Sequence, residues 1–153
     1  MTIKKIISGG QTGADIAGLD AAIKLGIPYG GWIPKGRLTE DGPLSEKYLL
    51  QEMTTASYPK RTAQNVIDSD GTVIFTYGAL TGGSLLTRKK ALQHGKPVLH
   101  FDLSKTTAAD VVQELVGFIE QNDIEVLNVA GSRGSKDPAI YDKVFEIMVV
   151  SLK

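Results

Sequence analysis

No cysteine occurs in the 153 residues. That excludes disulfides, thiolate metal sites and thiol catalysis together, and it fits a reducing, cytoplasmic compartment. Histidine is nearly missing: His94 and His100 are the only two. They form no HxH or HxxxH pair, so no metal site is expected. There is no excess of either charge, with 17 Lys plus Arg against 17 Asp plus Glu. A neutral chain gives no general reason for a nucleic-acid or membrane partner, so any electrostatic function must come from local clustering. Long apolar runs are also absent, and no segment would span a bilayer. The opening stretch MTIKKIISGG has too short an apolar run for a signal peptide and reads as the first strand of a fold.

What the chain does have is alternation. Short apolar runs at Lys4–Ser8, Pro28–Ile33, Thr72–Thr76, Pro97–Phe101 and Glu125–Ala130 read as five strands. Between and after them, helical spacing recurs. Ile16, Leu19 and Ile23 share a face, and Gly26 closes that helix. Further helices are expected over Lys60–Asp68, Ser84–His94, Thr107–Gln121 and Asp137–Leu152. Strands apolar on both faces, alternating with helices, predict a single α/β domain over 1–153. It is a Rossmann-like three-layer sandwich with a mostly parallel five-stranded sheet and helices on both faces. The expected strand order is 2-1-3-4-5. The polar segment 34–59 exceeds an ordinary connection and suggests a flap over the site, with a short helix at Leu44–Met53.

In such sheets ligands sit beyond the carboxyl ends of the strands, where strand order reverses. The loops there carry Gly9-Gly10-Gln11-Thr12-Gly13, Lys35-Gly36-Arg37 with Glu40-Asp41, Tyr77 with Thr81-Gly82-Gly83-Ser84, and Ser132-Arg133-Gly134-Ser135. Glycine lets backbone N–H groups approach a ligand, and a following helix start adds free donors and a positive dipole end. Two anion seats are therefore expected, at Gly9–Gly13 and Gly82–Ser84, facing each other across the first and third strands. Lys35, Arg37 and Arg133 add positive charge. Asp15 falls in a first helical turn, where dipole compensation and ligand contact are equally good readings. Trp32 and Tyr77 could stack on a ring, and Trp32 fits a plain core position better. Arg61 and Asn65 lie one turn apart on one helix face. No GxGxxG, GK[ST] or GxSxG occurs, which excludes the usual dinucleotide, P-loop and serine-hydrolase fingerprints. The adjacent acids Glu40 and Asp41 read as solvated turn residues before they read as acid–base catalysts.

Taken in order, GGQTGAD at 9–15, GWIPKGR at 31–37, EDG at 40–42, RTAQNVIDSDGTVIF at 61–75, TGGSLLT at 81–87, GKP at 95–97 and NVAGSR at 128–133 resemble the putative molybdenum carrier family. That family is related to the LOG-type "lysine decarboxylase-like" phosphoribohydrolases. The resemblance covers nearly the whole chain. It implies an α/β domain that binds a phosphorylated pterin- or nucleotide-like small molecule, with molybdenum cofactor as cargo, in a homo-oligomer (dimer or tetramer). It places Gly9, Gly10, Thr12 and Gly13 in a first phosphate loop and Gly82, Gly83, Ser84 and Thr87 in a second. Arg37, Arg61 and Asn65 become polar contacts. The hydrolase relatives carry PGGxGTxxE with a catalytic glutamate. Here leucines replace the Gly-Thr, and Lys89 stands in the glutamate place. That departure favours binding without catalysis over the alternatives, an N-glycosidic hydrolase of nucleotides or a nucleotide sensor, unless Asp15, Glu40 or Asp41 substitutes.

Overall fold

The computed structural model describes residues 3–153. Its central sheet contains β1 (Lys5–Ile7), β2 (Tyr29–Gly30), β7 (Gly71–Thr76), β8 (Val98–Asp102) and β9 (Val126–Gly131), and every pairing in it is parallel. Two short ribbons stand outside it. One joins β3 (Trp32–Ile33) to β6 (Gln51–Glu52), the other β4 (Leu38–Thr39) to β5 (Gly42–Pro43). Helices α1 (Ala14–Leu25), α4 (Ala108–Gln121) and α5 (Ile140–Leu152) pack as one group. Helices α2 (Tyr58–Ile67) and α3 (Gly82–Gln93) pack as another. The result is the Rossmann-like three-layer α/β architecture that the alternation predicts.

The two faces of the sheet are set by strand period. In β7 all six residues, GTVIFT, are buried. Val73 and Phe75 join the core under α1, α4 and α5 together with Leu127 and Val129 of β9. The Phe75 and Phe101 rings meet in register at 5.8 Å. Alternate residues face the other way, so Asn128 and Ala130 of β9 are left to line a cleft on the α2–α3 side. That split follows from the twofold alternation of side chains along a strand.

Strand order differs from the expectation. It runs β2-β1-β9-β7-β8, so the last strand in sequence inserts between the first and the third. The right-handed crossover rule permits both orders. Burial separates them, because a strand flanked on both sides by others loses both edges to water. Leu127, Asn128 and Val129 of β9 are fully or almost fully buried, whereas four of the five β8 residues are only half-buried.

The 34–59 segment also differs. No helix forms over 44–53. Arg37 folds back with positive φ and donates to the carbonyls of Leu44 (3.4 Å), Ser45 (2.9 Å) and Tyr48 (2.7 Å). Those carbonyls are the ones a helix would have used for its own ladder. Leu44 and Leu50 instead lie against Gly10. Tyr48 donates to Asp20 on α1 at 2.7 Å, and Tyr141 of α5 donates to the same carboxylate. The segment is thus a pinned strap across the β1–α1 loop.

Candidate functional site

A cleft of about 390 Å³ opens on the α2–α3 side. Its walls come from the loop after β1 (Gly9, Gln11), the start of α1 (Asp15), α2 (Tyr58, Arg61, Asn65), the start of α3 (Thr81 to Thr87) and the loop after β9 (Ser132, Arg133, Lys136). The strand insertion explains this composition. With β9 between β1 and β7, the two glycine loops do not face each other directly. The Gly131–Lys136 loop stands between them and supplies part of the floor.

The two glycine loops are chemically unlike. At the second, Gly82 takes φ +49°, and a Cβ on Gly82 or Gly83 would meet no atom within 4 Å. The backbone there faces open space at a helix start, where N–H groups lack intrahelical partners. The Ser84 hydroxyl is already spent on the cap: it accepts from Thr81 N at 3.1 Å and donates to Thr81 O at 2.7 Å. Thr87 donates to Gly83 O at 2.9 Å. Ser84 and Thr87 therefore shape the helix start, while the Gly82 and Gly83 backbone faces open space. At the first loop most donors are occupied. Gly10 N goes to Ser8 Oγ, Gln11 N to Asp15 Oδ2 (3.3 Å), Thr12 N to Gln11 Oε1 (3.0 Å) and Ala14 N to Ser132 O (3.1 Å). The side chain of Asp15 already sits where an anion was expected. Gly10, Thr12 and Gly13 line a separate hollow beneath the strap and not the main cleft.

Asp15 and Arg61 are the buried charges of the cleft, each 8 % exposed. Burial pushes the Asp15 carboxyl up to about 6, against the opposing pull of Arg61, of the Gln11 and Gly9 N–H groups and of Arg133. Arg61 is held lower than a free guanidinium, first by burial, with Asp15 pulling the other way. Its Nη1 donates to Gly9 O at 2.5 Å, and the guanidinium lies 5.4 Å from the Tyr58 ring centre. A Cβ on Gly9 would fall 2.0 Å from that Nη1, so the glycine is there to admit the arginine. Among the described residues no Lys or Arg nitrogen comes within 4.0 Å of the Asp15 carboxylate. Ser132, 5 % exposed, lines the same cleft with a buried Oγ that has no hydrogen-bond partner. Lys136 reaches across to donate to Thr81 Oγ1.

The remaining candidates serve elsewhere. Asn65 lines the cleft but spends its amide on the Trp32 backbone, accepting from its N–H (2.8 Å) and donating to its C=O (3.0 Å). Trp32 itself lies on the α2 surface, with Nε1 donating to Asp68 at 2.8 Å. Lys35 is exposed and Tyr77 packs against the core. Neither they nor Arg37 line the cleft. Lys89 is exposed on α3 and also lies away from it. The strap does not cover the cleft: of residues 34–59 only Tyr58 and Pro59 line it. Sequence reasoning missed Tyr58, Asn128 and Lys136. Lys136 had a readable signal, a cation directly after the glycine-serine run that follows the last strand.

Glu40 is not a solvated turn residue. Its carboxylate accepts from Thr12 Oγ1, from Ser135 N (3.1 Å) and from Ser135 Oγ (2.5 Å), with Arg133 Nε at 3.8 Å. Its N–H donates to Gln11 Oε1 at 2.9 Å. Burial alone would raise its pKa, but the bonds from Ser135 and Thr12 outweigh that and hold it below the ordinary value. Glu40→Gln is expected to loosen the strap. Charge-assisted bonds are worth about 1.5 kcal/mol or more, so amide exchange across 38–44 should quicken about tenfold at pH 7. Because the carboxyl is depressed in the fold, the latch is present above its unfolded value of 4.5 and is lost as pH falls below it. Unchanged exchange in the variant would show that Arg37 and Tyr48 hold the strap alone.

The sequence model of the circularly permutated YpsA SLOG family matches residues 6–152. A crystal structure named "putative molybdenum carrier protein", from Syntrophus aciditrophicus SB, is 53% identical, with a TM-score of 0.98 over 99% of this chain and 96% of that one. No curated protein matches.

Proposed function

This chain belongs to the circularly permutated YpsA SLOG family, and from that premise we propose that it carries molybdenum cofactor as cargo, bound by its phosphorylated pterin in the α2–α3 cleft. The carrier role is supported by the Syntrophus protein's name and its near-complete superposition. The observation that carries the ligand class is the wall made by Arg61, Arg133, Lys136 and the open Gly82–Gly83 backbone around an unpartnered Ser132 Oγ. Three cations against one carboxylate favour an anion, and a helix start is suited to a phosphate. The volume suits a ligand of nucleotide size.

One observation keeps the hydrolase reading alive. Asp15, raised to about 6, is the type of carboxyl that donates a proton to a leaving base.

Native mass spectrometry of freshly purified protein, with released small molecules identified, tests the proposal. A pterin with molybdenum is expected, on a dimer or tetramer. An empty protein that no pterin or nucleotide stabilises in a thermal-shift panel would overturn it, since a ligand of the folded state must raise the melting temperature. Release of free base from a nucleoside monophosphate panel, abolished in Asp15→Asn, would transfer the site to the hydrolase reading.

A further inference from the structure

The cleft contains a feature that a phosphate site alone does not need. Asp15 is a buried carboxylate facing a site whose other charges are positive. A bare oxyanion would be repelled by it at close range. The charged groups that face it are Arg61 from α2 and Arg133 from the loop after β9. Neither makes a direct ion pair with it, and Arg61 gives its Nη1 to Gly9 O. The protein contacts to the carboxylate are two backbone N–H groups, that of Gln11 at 3.3 Å from Oδ2 and that of Gly9. An ionised carboxylate has about four acceptor positions, so about half of its capacity is left for a ligand. Ser132 provides a second, independent sign: its Oγ is buried in the cleft wall without a partner. The two residues enter from adjoining positions, because Ala14 N–H, next to Asp15, donates to Ser132 O at 3.1 Å.

Resting on the proposed binding of a phosphorylated heterocycle, we infer that Asp15 selects the ring. It accepts from a pair of adjacent N–H donors, a ring N–H and an exocyclic amino group, and Ser132, whose Oγ is closed to solvent in the wall, turns about χ1 to donate to the carbonyl beside them. This 2-amino-4-oxo pattern occurs in pterins and, equivalently, in guanine. A carboxylate matches two parallel donors bidentately. Adenine presents an acceptor nitrogen beside its amino group, which sets one carboxylate oxygen against a lone pair. A polar site of this type rejects the ligand that leaves its groups unpaired more strongly than an apolar pocket rejects a change of shape.

Isothermal titration of the full-length protein at pH 7.5 tests this with two matched pairs. One is GMP against AMP, with IMP between them because it keeps the ring N–H and lacks the amino group. The other is 6-hydroxymethylpterin monophosphate against its 2-oxo analogue. Molybdate and inorganic phosphate serve as ring-free controls. The expected result is a preference of about tenfold or more for the 2-amino-4-oxo member of at least one pair, and the pair that shows it names the source. Asp15→Asn should reduce that preference at least tenfold, by weakening the 2-amino-4-oxo member and by tightening AMP, since the amide no longer repels the phosphate and can meet both the amino group and the ring nitrogen of adenine. The guanine-over-adenine ratio should also fall between pH 7.5 and 5.5 as Asp15 takes up a proton, with AMP controlling for phosphate titration. Equal binding within both pairs would overturn the inference and leave the carrier reading standing. So would molybdate binding as tightly as the rings. Failure of every nucleotide and pterin to bind would overturn the reading it rests on.

Discussion

Asp15→Asn is expected to make the unliganded protein more stable at pH 8 and no more stable at pH 3.5. The Asp15 carboxyl has an ordinary value of 3.8 and is pushed up to about 6 in the fold. Above pH 6 both folded and unfolded chains carry the charge, and the folded chain bears the cost of burying it. Below 3.8 both are neutral and the cost is gone. Stability from this group is therefore full below about pH 4 and lost as pH rises through 6. Asparagine resembles the neutral acid and keeps an oxygen for the Gln11 N–H. One pKa unit corresponds to about 1.4 kcal/mol, so the gain at pH 8 is at most about 3 kcal/mol. In a domain of this size that is roughly 5 to 10 °C in melting temperature. Paired melts of both proteins from pH 3.5 to 8 should diverge through the window 4 to 6 and then run parallel. A constant offset at every pH would show that the charge is not what costs stability. The expected pattern would also show that the wild-type residue is kept at a cost to stability, as binding sites commonly are.

Much of this was legible in the sequence. Alternation of buried runs and helical periods gave the α/β layers and all five helices to within a few residues. The cleft was legible in part, because the rule that ligands gather at the carboxyl ends of parallel strands picks the edge where the cleft opens before any contact is known. Strand order was not legible from connectivity. His100 and Asp102 sit in an otherwise apolar strand, and that pattern belongs to a sheet edge. LNVA at 127–130 belongs to the interior. Reading those differences would have put β9 beside β1. The strap was hidden because Leu44, Leu49 and Leu50 mimic a short amphipathic helix, and only the three-dimensional structure shows Arg37 drawing the carbonyls of Leu44, Ser45 and Tyr48 together. The division of labour between the glycine loops was equally hidden. GGQTG and TGGS look alike as strings, yet the first has its N–H groups committed to Ser8, Asp15 and Gln11, while the second faces open space. Spacing encodes where a backbone can go and leaves open which side chain reaches it first.

Arg61→Met should be the most damaging single change in the cleft, with a loss of about 3 kcal/mol in urea unfolding at pH 7.5. Methionine keeps much of the aliphatic stem and removes three things together. Gly9 O loses the donor at 2.5 Å and is left as a buried acceptor. The contact over the Tyr58 ring goes. Asp15 loses the largest of the influences that hold its carboxyl down against burial, so its pKa should climb further. The first two losses are independent of pH and the third is not. The cost of Arg61→Met should therefore shrink as pH falls from 7.5 through about 6 and level off below about 5, where Asp15 is neutral in the fold of either protein. The double variant Asp15→Asn, Arg61→Met isolates the electrostatic part. With the carboxylate removed, the arginine has nothing to offset, and the double variant should be more stable at pH 7.5 than the Asp15→Asn gain and the Arg61→Met loss add up to. A coupling of about 1 kcal/mol is within the range for charges that share a site without touching. Additive effects would mean that Arg61 acts only as a peg for the Gly9 carbonyl, tying α2 to the β1 loop. Coupled effects would mean that the cleft is built around a balanced pair. A balanced pair leaves the carboxylate free to accept from a ligand and the guanidinium free to meet its phosphate, because neither is consumed by the other.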